Sequence, residues 1–390
     1  MRSVCLILRK QDFLFRLMPS IINYKASRYT GLGKINPFTL TYSVTAACQS
    51  RCKTCKIGEM YLDDPKRKQA DLSISEVEKV FRTMNPVYFF NISGGEPFLR
   101  NDLPELIDLG CAHLKPRIVH IPTNALLPDK IYEQSRAILN NMNAKYSGTI
   151  FTVKPSIDGV GDQHDYIRGV KGNFKKLLKT IELLKELETE FDNFHLELGT
   201  VVSNFNIDQL DEIEDFVHSL NVGSYRNEIA EQRTEFFNIG DPITPTAEVY
   251  DRLMKKFSKK IIANIHKKKK MAKTTEALRL TYYQLAARIL REERQVIPCY
   301  AGLSNVHINY DGGVWPCCVL GYDQEMGNLR DYSYDFQKLW NSDRANAVRK
   351  YIKDGNCACP LANQAYSNIL MDFQSMLKAF YYTIQFSLKR

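Results

Sequence analysis

An α/β fold built on a parallel sheet, with a smaller unit after it, is what this sequence predicts. Three observations predict it. Six β-rich stretches alternate with amphipathic helical stretches between Phe38 and Ala230, a pattern that calls for parallel strands with right-handed crossovers. The chain has 390 residues, 44% hydrophobic and 25% charged, enough to bury a full-sized core and a second small one. Its cysteines gather in two groups, one near each end of this alternation. The sheet is either an open doubly wound one or a partial barrel.

The elements follow in order. "FTLTYSVTA" (Phe38 to Ala46) alternates as a strand. "SISEVEKVFRTM" opens a helix, with Ser73 and Glu76 at capping-box spacing. "PVYFFNIS" is a strand, a helix from about Leu103 leads to the strand "RIVHIPT", and a helix from about Asp129 leads to "TIFTVKPSI". The helix "NFKKLLKTIELLKELE", the strand "FHLELGTVV", the helix "IDQLDEIEDFVHSL" and the strand "GSYRNEIA" complete the series. Two helices, roughly Thr246 to Ile265 and Thr274 to Glu293, form a connector. From Pro298, "NVHINYDGGVWPCC" is a hairpin around Asp311–Gly312, and a helix spans about Tyr334 to Ile352. There is no internal repeat.

The net charge is +9, part of it in the run "HKKKKMAK", which reads as a solvated helix end or loop. A nucleic-acid binder needs a basic face with interleaved aromatics, and none is visible. The run "VCLIL" is short, is followed by Arg9, Lys10 and Asp12, and has no small-residue cleavage site, so it does not read as a signal peptide. No stretch is apolar enough to span a bilayer. A cytoplasmic location is expected, where clustered thiols point to metal more than to disulfides. Both ends, "LILRKQDFLFRLMPSII" and "NILMDFQSMLKAFYYTIQFSLKR", are amphipathic. They read first as helices docked on the fold, with a peripheral membrane contact as the sharper reading.

Chemistry concentrates in "TAACQSRCKTCKIG", where Cys48, Cys52 and Cys55 stand three and then two residues apart. Structural zinc and a fully ligated iron–sulfur cluster each take four ligands, and no histidine lies nearby. Unless Cys111 or a distant cysteine completes the set, three thiols leave one position of a cubane cluster open. Cys5 and Cys111 are isolated and read as small hydrophobes. The triplet follows the first strand, at the edge where parallel α/β sheets bind ligands.

With this spacing and context the sequence resembles the radical S-adenosylmethionine (radical SAM) enzymes. The resemblance implies a partial (β/α)6 barrel and a [4Fe-4S] cluster whose open iron chelates S-adenosylmethionine. Reductive cleavage then gives a 5′-deoxyadenosyl radical that abstracts hydrogen from a substrate. It further implies cofactor contacts at Gly94, Gly95, Glu96 and Pro97 ("GGEP"), with Glu96 anchoring the methionine ammonium. Thr123 and Asn124 sit at the end of the third strand, Ser156 and Asp158 match ribose contacts after the fourth, and Asn204 follows the fifth. Ala125 departs from the glycine usual in the family. Gly94 and Gly95 also let backbone approach a ligand closely, whatever the family. Glu228, Glu231 and Arg233, with Arg226, read either as substrate contacts or as a salt-bridged surface; Tyr310 and Asp311 are further catalytic candidates.

The second group resembles the auxiliary-cluster domain of the same family, called twitch when it holds one cluster and SPASM when it holds two. Cys299, Cys317, Cys357 and Cys359 are the implied ligands of a second [4Fe-4S] cluster, with Cys318 the alternative to Cys317 and a four-thiolate zinc site the rival. Five thiols in this group suffice for one full cluster. The expected organisation is an amphipathic extension (1–37), the radical SAM core (38–235), a helical connector (236–297), a small α+β auxiliary domain (298–362) and a C-terminal amphipathic helix (363–390). The resemblance implies a one-electron donor such as a ferredoxin or flavodoxin, and a peptide, sugar or lipid-linked substrate. Two other classes remain at this stage: an electron-transfer protein without SAM, and a zinc-stabilised nucleic-acid binder.

Overall fold

The computed structural model describes residues 18–31, 36–267 and 270–388. Helix α1 (Met18–Thr30) precedes β1 (Thr39–Ser43). Then come α2 (Ile57–Asp63), α3 (Ile74–Thr83), β2 (Phe89–Ser93), α4 (Leu103–Leu114), β3 (Ile118–Thr123), α5 (Pro128–Lys145) and β4 (Ile150–Pro155). They lead to α6 (Asp162–Arg168), α7 (Asn173–Glu190), β5 (Phe194–Val202), α8 (Leu210–Ser219) and β6 (Ser224–Ile229). The connector is α9 (Ala247–Asn264) and α10 (Lys270–Glu292). The last part holds β7 (Asn305–Ile308), β8 (Gly313–Trp315), β9 (Gly327–Asn328), α11 (Phe336–Trp340), α12 (Asp343–Lys353), α13 (Ala362–Met371) and α14 (Phe373–Leu388).

The strand order is β6-β5-β4-β3-β2-β1-β7-β8-β9. Strands β1 to β6 pair in parallel, and β7 adds in parallel to β1 before β8 and β9 turn antiparallel. The C-terminal hairpin therefore continues the main sheet, a pairing that local sequence patterns do not reveal. Leu40, Phe90, Val119, Phe151 and Leu196 bury one face fully under the helices. The two-residue period turns Thr41, Lys154, Glu197, Arg226 and Glu228 to the other. Thr41 on β1 and Glu228 on β6, far apart in strand order, line one cavity, so the sheet curls into the partial barrel.

Local chemistry sets the element ends. Ser73 and Glu76 form the expected capping box at α3. The helix expected over Tyr334 to Ile352 is two helices. Ser342 breaks it, its hydroxyl accepting the Ala345 N–H at 3.2 Å as N-cap of α12. The first seventeen residues and Lys268–Lys269 of the lysine run lie outside the described residues. Within them, α1 packs Ile21 and Tyr24 on Tyr300, Leu303 and Met371. Helix α14 docks by Ala379, Phe386 and a Gln284–Tyr382 hydrogen bond, and leaves Phe373, Leu377, Phe380, Tyr381 and Ile384 exposed along its other side. No helix among the described residues is long and apolar enough to cross a membrane.

Candidate cluster and cofactor site

The first thiol group lies on the loop from β1 to α2, at the carboxyl edge of the sheet. Backbone bonds hold that loop down: Arg51 and Lys53 donate N–H to the carbonyls of Arg168 and Ile167, at 3.2 and 2.8 Å, and Lys56 to that of Phe236 at 2.9 Å. The GGEP loop presses on it from β2. Gly95 N–H meets Thr45 O at 2.9 Å and Glu96 N–H meets Ala47 O at 2.8 Å. No side chain fits between them. A Cβ on Gly95 would lie 2.1 Å from Ala47 O, and one on Gly94, whose φ is +108°, 2.6 Å from Thr45 O.

Glu96 is buried and acts as a hub. Its carboxylate accepts Thr123 Oγ1 at 2.9 Å, Asn124 N–H at 2.7 Å and Phe98 N–H at 3.1 Å. Burial still pushes its pKa up to about 7. Asn124 then reaches the thiol loop, donating Nδ2–H to Ser50 Oγ at 3.0 Å and Gln49 Oε1 at 3.2 Å, 3.9 Å from Cys48 Sγ. Ala125 holds φ +61°, the left-handed conformation that favours glycine. Its departure from the usual residue thus leaves the backbone shape intact.

Arg168, which the sequence reading missed, ends α6 beside all three thiols and pairs with Asp158 at 3.0 Å. Burial raises the pKa of Cys48 to about 12 and lifts those of Cys52 and Cys55. Thiols placed this way lose their protons only to a bound metal.

The side chains of two of the expected cofactor contacts have partners within the protein. Asp158 accepts Val201 N–H at 2.8 Å as well as Arg168, locking the ends of β4 and β5. Asn204 is exposed and donates to Pro242 O and Thr244 O at 2.8 and 3.2 Å, tying its loop to the connector. Ser156 stays at the sheet edge, its N–H on Thr123 O at 3.0 Å.

In the second group, burial raises the pKa of Cys317, with the charges of Cys318, Cys299 and Cys357 adding to it, and burial raises that of Cys359, with Glu231, Cys317 and Cys299 adding. Cys318 Sγ accepts an N–H from Arg233 Nη1 at 3.4 Å. A zinc ion holding thiolates at about 2.3 Å brings their sulfurs to about 3.8 Å of one another. Among the described residues, the only three metal-ligating side chains with donor atoms all within 4.8 Å are Glu235, His307 and Cys318. Both cysteine groups offer thiolates alone, the donor type that holds iron–sulfur clusters.

Two cavities adjoin between the groups. One, a narrow cleft, is bordered by Thr45, Ala46, Gly94, Gly95, Glu235 and Tyr310. The other is larger and bordered by Thr41, Ser93, Glu228, Arg233, Asn305 and Gln364 among others, and again by Glu235. Glu228 pairs with Lys154 at 3.2 Å and Arg233 with Glu231 at 2.9 Å; Glu228 and Arg233 also border the larger cavity. Asp311 is a turn residue, its carboxylate taking Asn309 Nδ2–H and Gly313 N–H at 2.8 and 3.1 Å.

Comparison with known proteins agrees with this geometry. The sequence model of the radical SAM superfamily matches residues 42–217, and that of SPASM, an iron–sulfur cluster-binding domain, matches residues 299–360. The chain belongs to the radical SAM superfamily. It is 26% identical to an AdoMet-dependent heme synthase of Oleidesulfovibrio alaskensis over 77% of this chain and 74% of that one. It is 24% identical to the antilisterial bacteriocin subtilosin biosynthesis protein AlbA of Bacillus subtilis, over 84% and 66%. The structure described as native anSMEcpe with bound AdoMet and Cp18Cys peptide superposes with a TM-score of 0.54 at 16% identity, covering 90% of this chain and 97% of that one. This last likeness is one of fold. As a radical SAM protein with a SPASM region, the chain is an enzyme that uses a [4Fe-4S] cluster and S-adenosylmethionine, together with auxiliary iron–sulfur. The electron-transfer and zinc-binder readings fall away.

Proposed function

We propose that this radical SAM enzyme modifies a peptide. The observation that carries the proposal is the amide- and hydroxyl-bearing lining of the larger cavity, beside Cys317 and Cys318. Cys48, Cys52 and Cys55 would hold the SAM cluster, with Gly94, Gly95 and Pro97 shaping the loop beside it. Bound there, cluster and cofactor supply a 5′-deoxyadenosyl radical. Cys299, Cys317, Cys357 and Cys359 would hold the auxiliary cluster across the larger cavity, where it can take an electron from substrate.

A buried peptide needs a partner for each backbone N–H and C=O. The larger cavity supplies Thr41, Ser93, Asn305, Asn363 and Gln364. Gln364 Oε1 is buried without a hydrogen-bond partner, an acceptor suited to an incoming N–H. The relatives' names divide between heme and bacteriocin biosynthesis. A lining this rich in amides and hydroxyls favours the peptide over a flat macrocycle. Glu228 borders this cavity beside Lys154, which supports a role in taking a proton from substrate, with Glu231 the second candidate.

A one-electron donor of the ferredoxin or flavodoxin kind would reduce the clusters in the cytoplasm. The exposed apolar side of α14 supports a peripheral contact with a membrane. The test of the substrate is a reconstituted enzyme with SAM and dithionite, given either a mixed peptide pool or an iron porphyrin. Faster 5′-deoxyadenosine release and a peptide mass change support the reading. Stimulation by the porphyrin alone would overturn it.

A further inference from the structure

We infer that Glu235, His307 and Cys318 form a mononuclear site for a borderline divalent ion, zinc foremost, in the wall between the two cavities. The three come from separate parts of the chain: the turn after β6, strand β7 and the residue pair that follows β8. Only the fold brings them together. Their donor atoms all lie within 4.8 Å of one another, close to the spacing that a tetrahedral ion with ligands at 2.0–2.3 Å demands. Thiolate, imidazole and carboxylate are together a donor set for zinc, with Fe²⁺ the nearest competitor.

The surroundings agree. His307 leans on Trp315, ring centroids 4.9 Å apart, and so holds Nε2 toward the other two donors. Nε2 lies 3.6 Å from Glu235 Oε1. Ser43 Oγ sits 2.8 Å from Nε2 and 3.3 Å from Oε1; with Nε2 on an ion, the hydroxyl is left to donate to Glu235. Arg233 points an N–H at the Cys318 sulfur from 3.4 Å, the kind of contact a metal-bound thiolate accepts, and its own charge is paired with Glu231. One thiolate and one carboxylate neutralise a divalent ion. Three protein ligands leave a fourth position, and Glu235 borders both cavities while His307 and Cys318 border the larger. That position opens toward substrate, where the ion would take an oxygen or sulfur donor and fix its orientation. The site uses none of Cys299, Cys317, Cys357 and Cys359.

The experiment needs no turnover and no substrate, so it stands apart from the peptide reading. Protein with both cluster sites filled anaerobically is given one equivalent of zinc, and zinc X-ray absorption is read separately from iron. Expected is one zinc per chain with a single sulfur at about 2.3 Å and a nitrogen/oxygen shell at 2.0–2.2 Å. Cys318→Ser and His307→Gln, each checked for unchanged iron and sulfide content, should weaken zinc retention at least tenfold. A shell of three or four sulfurs, meaning zinc seated on cluster thiols, would overturn the proposal. So would retention within twofold of wild type in both variants.

Discussion

Ala125 shows how one residue keeps a backbone shape without the residue that suits it best. Its φ of +61° strains any side chain, and glycine relieves that strain while loosening the unfolded chain. Ala125→Gly should therefore stabilise the protein by roughly 0.5–1 kcal/mol, read from denaturant midpoints; a loss of stability would contradict the strain argument. Gly95 is the opposite case. Gly95→Ala places a methyl 2.1 Å from Ala47 O, so the two loops must part, and the SAM affinity of the reconstituted protein should fall at least tenfold. His164 gives a pH dependence. Its Nδ1 accepts Asp158 N–H at 3.2 Å and burial lowers its pKa from 6.5 to about 4, so it is folded as the neutral ring. Between these values the unfolded chain binds the extra proton. Stability should fall as pH drops from about 6.5 toward 4, by roughly 3 kcal/mol from this residue. In His164→Gln, melting temperature should change less across that window; an equal slope would place the effect elsewhere.

At the scale of elements, the β7–β8 hairpin and its "WPCC" end give two neighbouring thiols different neighbours, Arg233 for Cys318 and the cysteine group for Cys317. Cys317→Ala should lower auxiliary iron, measured per chain, while Cys318→Ala leaves it unchanged. The reverse result would exchange their roles. The sequence could name both cysteines and prefer the first, but which way each points depends on pairing β7 with β1, hundreds of residues away. Strand β5 and helix α7 were legible to the residue or nearly so, because each carries its own period. The division of α11 from α12 was not, since Ser342 caps a helix inside a stretch whose apolar spacing runs on. Helix α14 makes a separate claim. If its exposed stripe of Phe373, Leu377, Phe380, Tyr381 and Ile384 rests on lipid, liposome flotation should be lost when Leu377 and Phe380 become glutamine. Equal flotation of both forms, or none by either, would remove the membrane from the account.

Taken whole, the molecule is a curled parallel sheet whose last hairpin brings the second thiol group round to face the first across a polar interior. The thiol spacing, the GGEP phrase and the alternation of strands and helices are local signals, and they were legible. Arg168, Glu235 and His307 were not, because nothing near them in sequence says what they will meet. Asp158 and Asn204 were legible as edge residues and still found protein partners, since position at a sheet edge does not say what a side chain faces. The central claim is that the Cys48, Cys52 and Cys55 loop holds a cluster with an open iron that cleaves SAM. The direct measurement is 5′-deoxyadenosine formed anaerobically with SAM and dithionite, by the wild type and by the triple variant with all three changed to alanine. Product from the wild type and none from the variant is the predicted result. Equal product from both, with auxiliary iron retained in the variant, would contradict it.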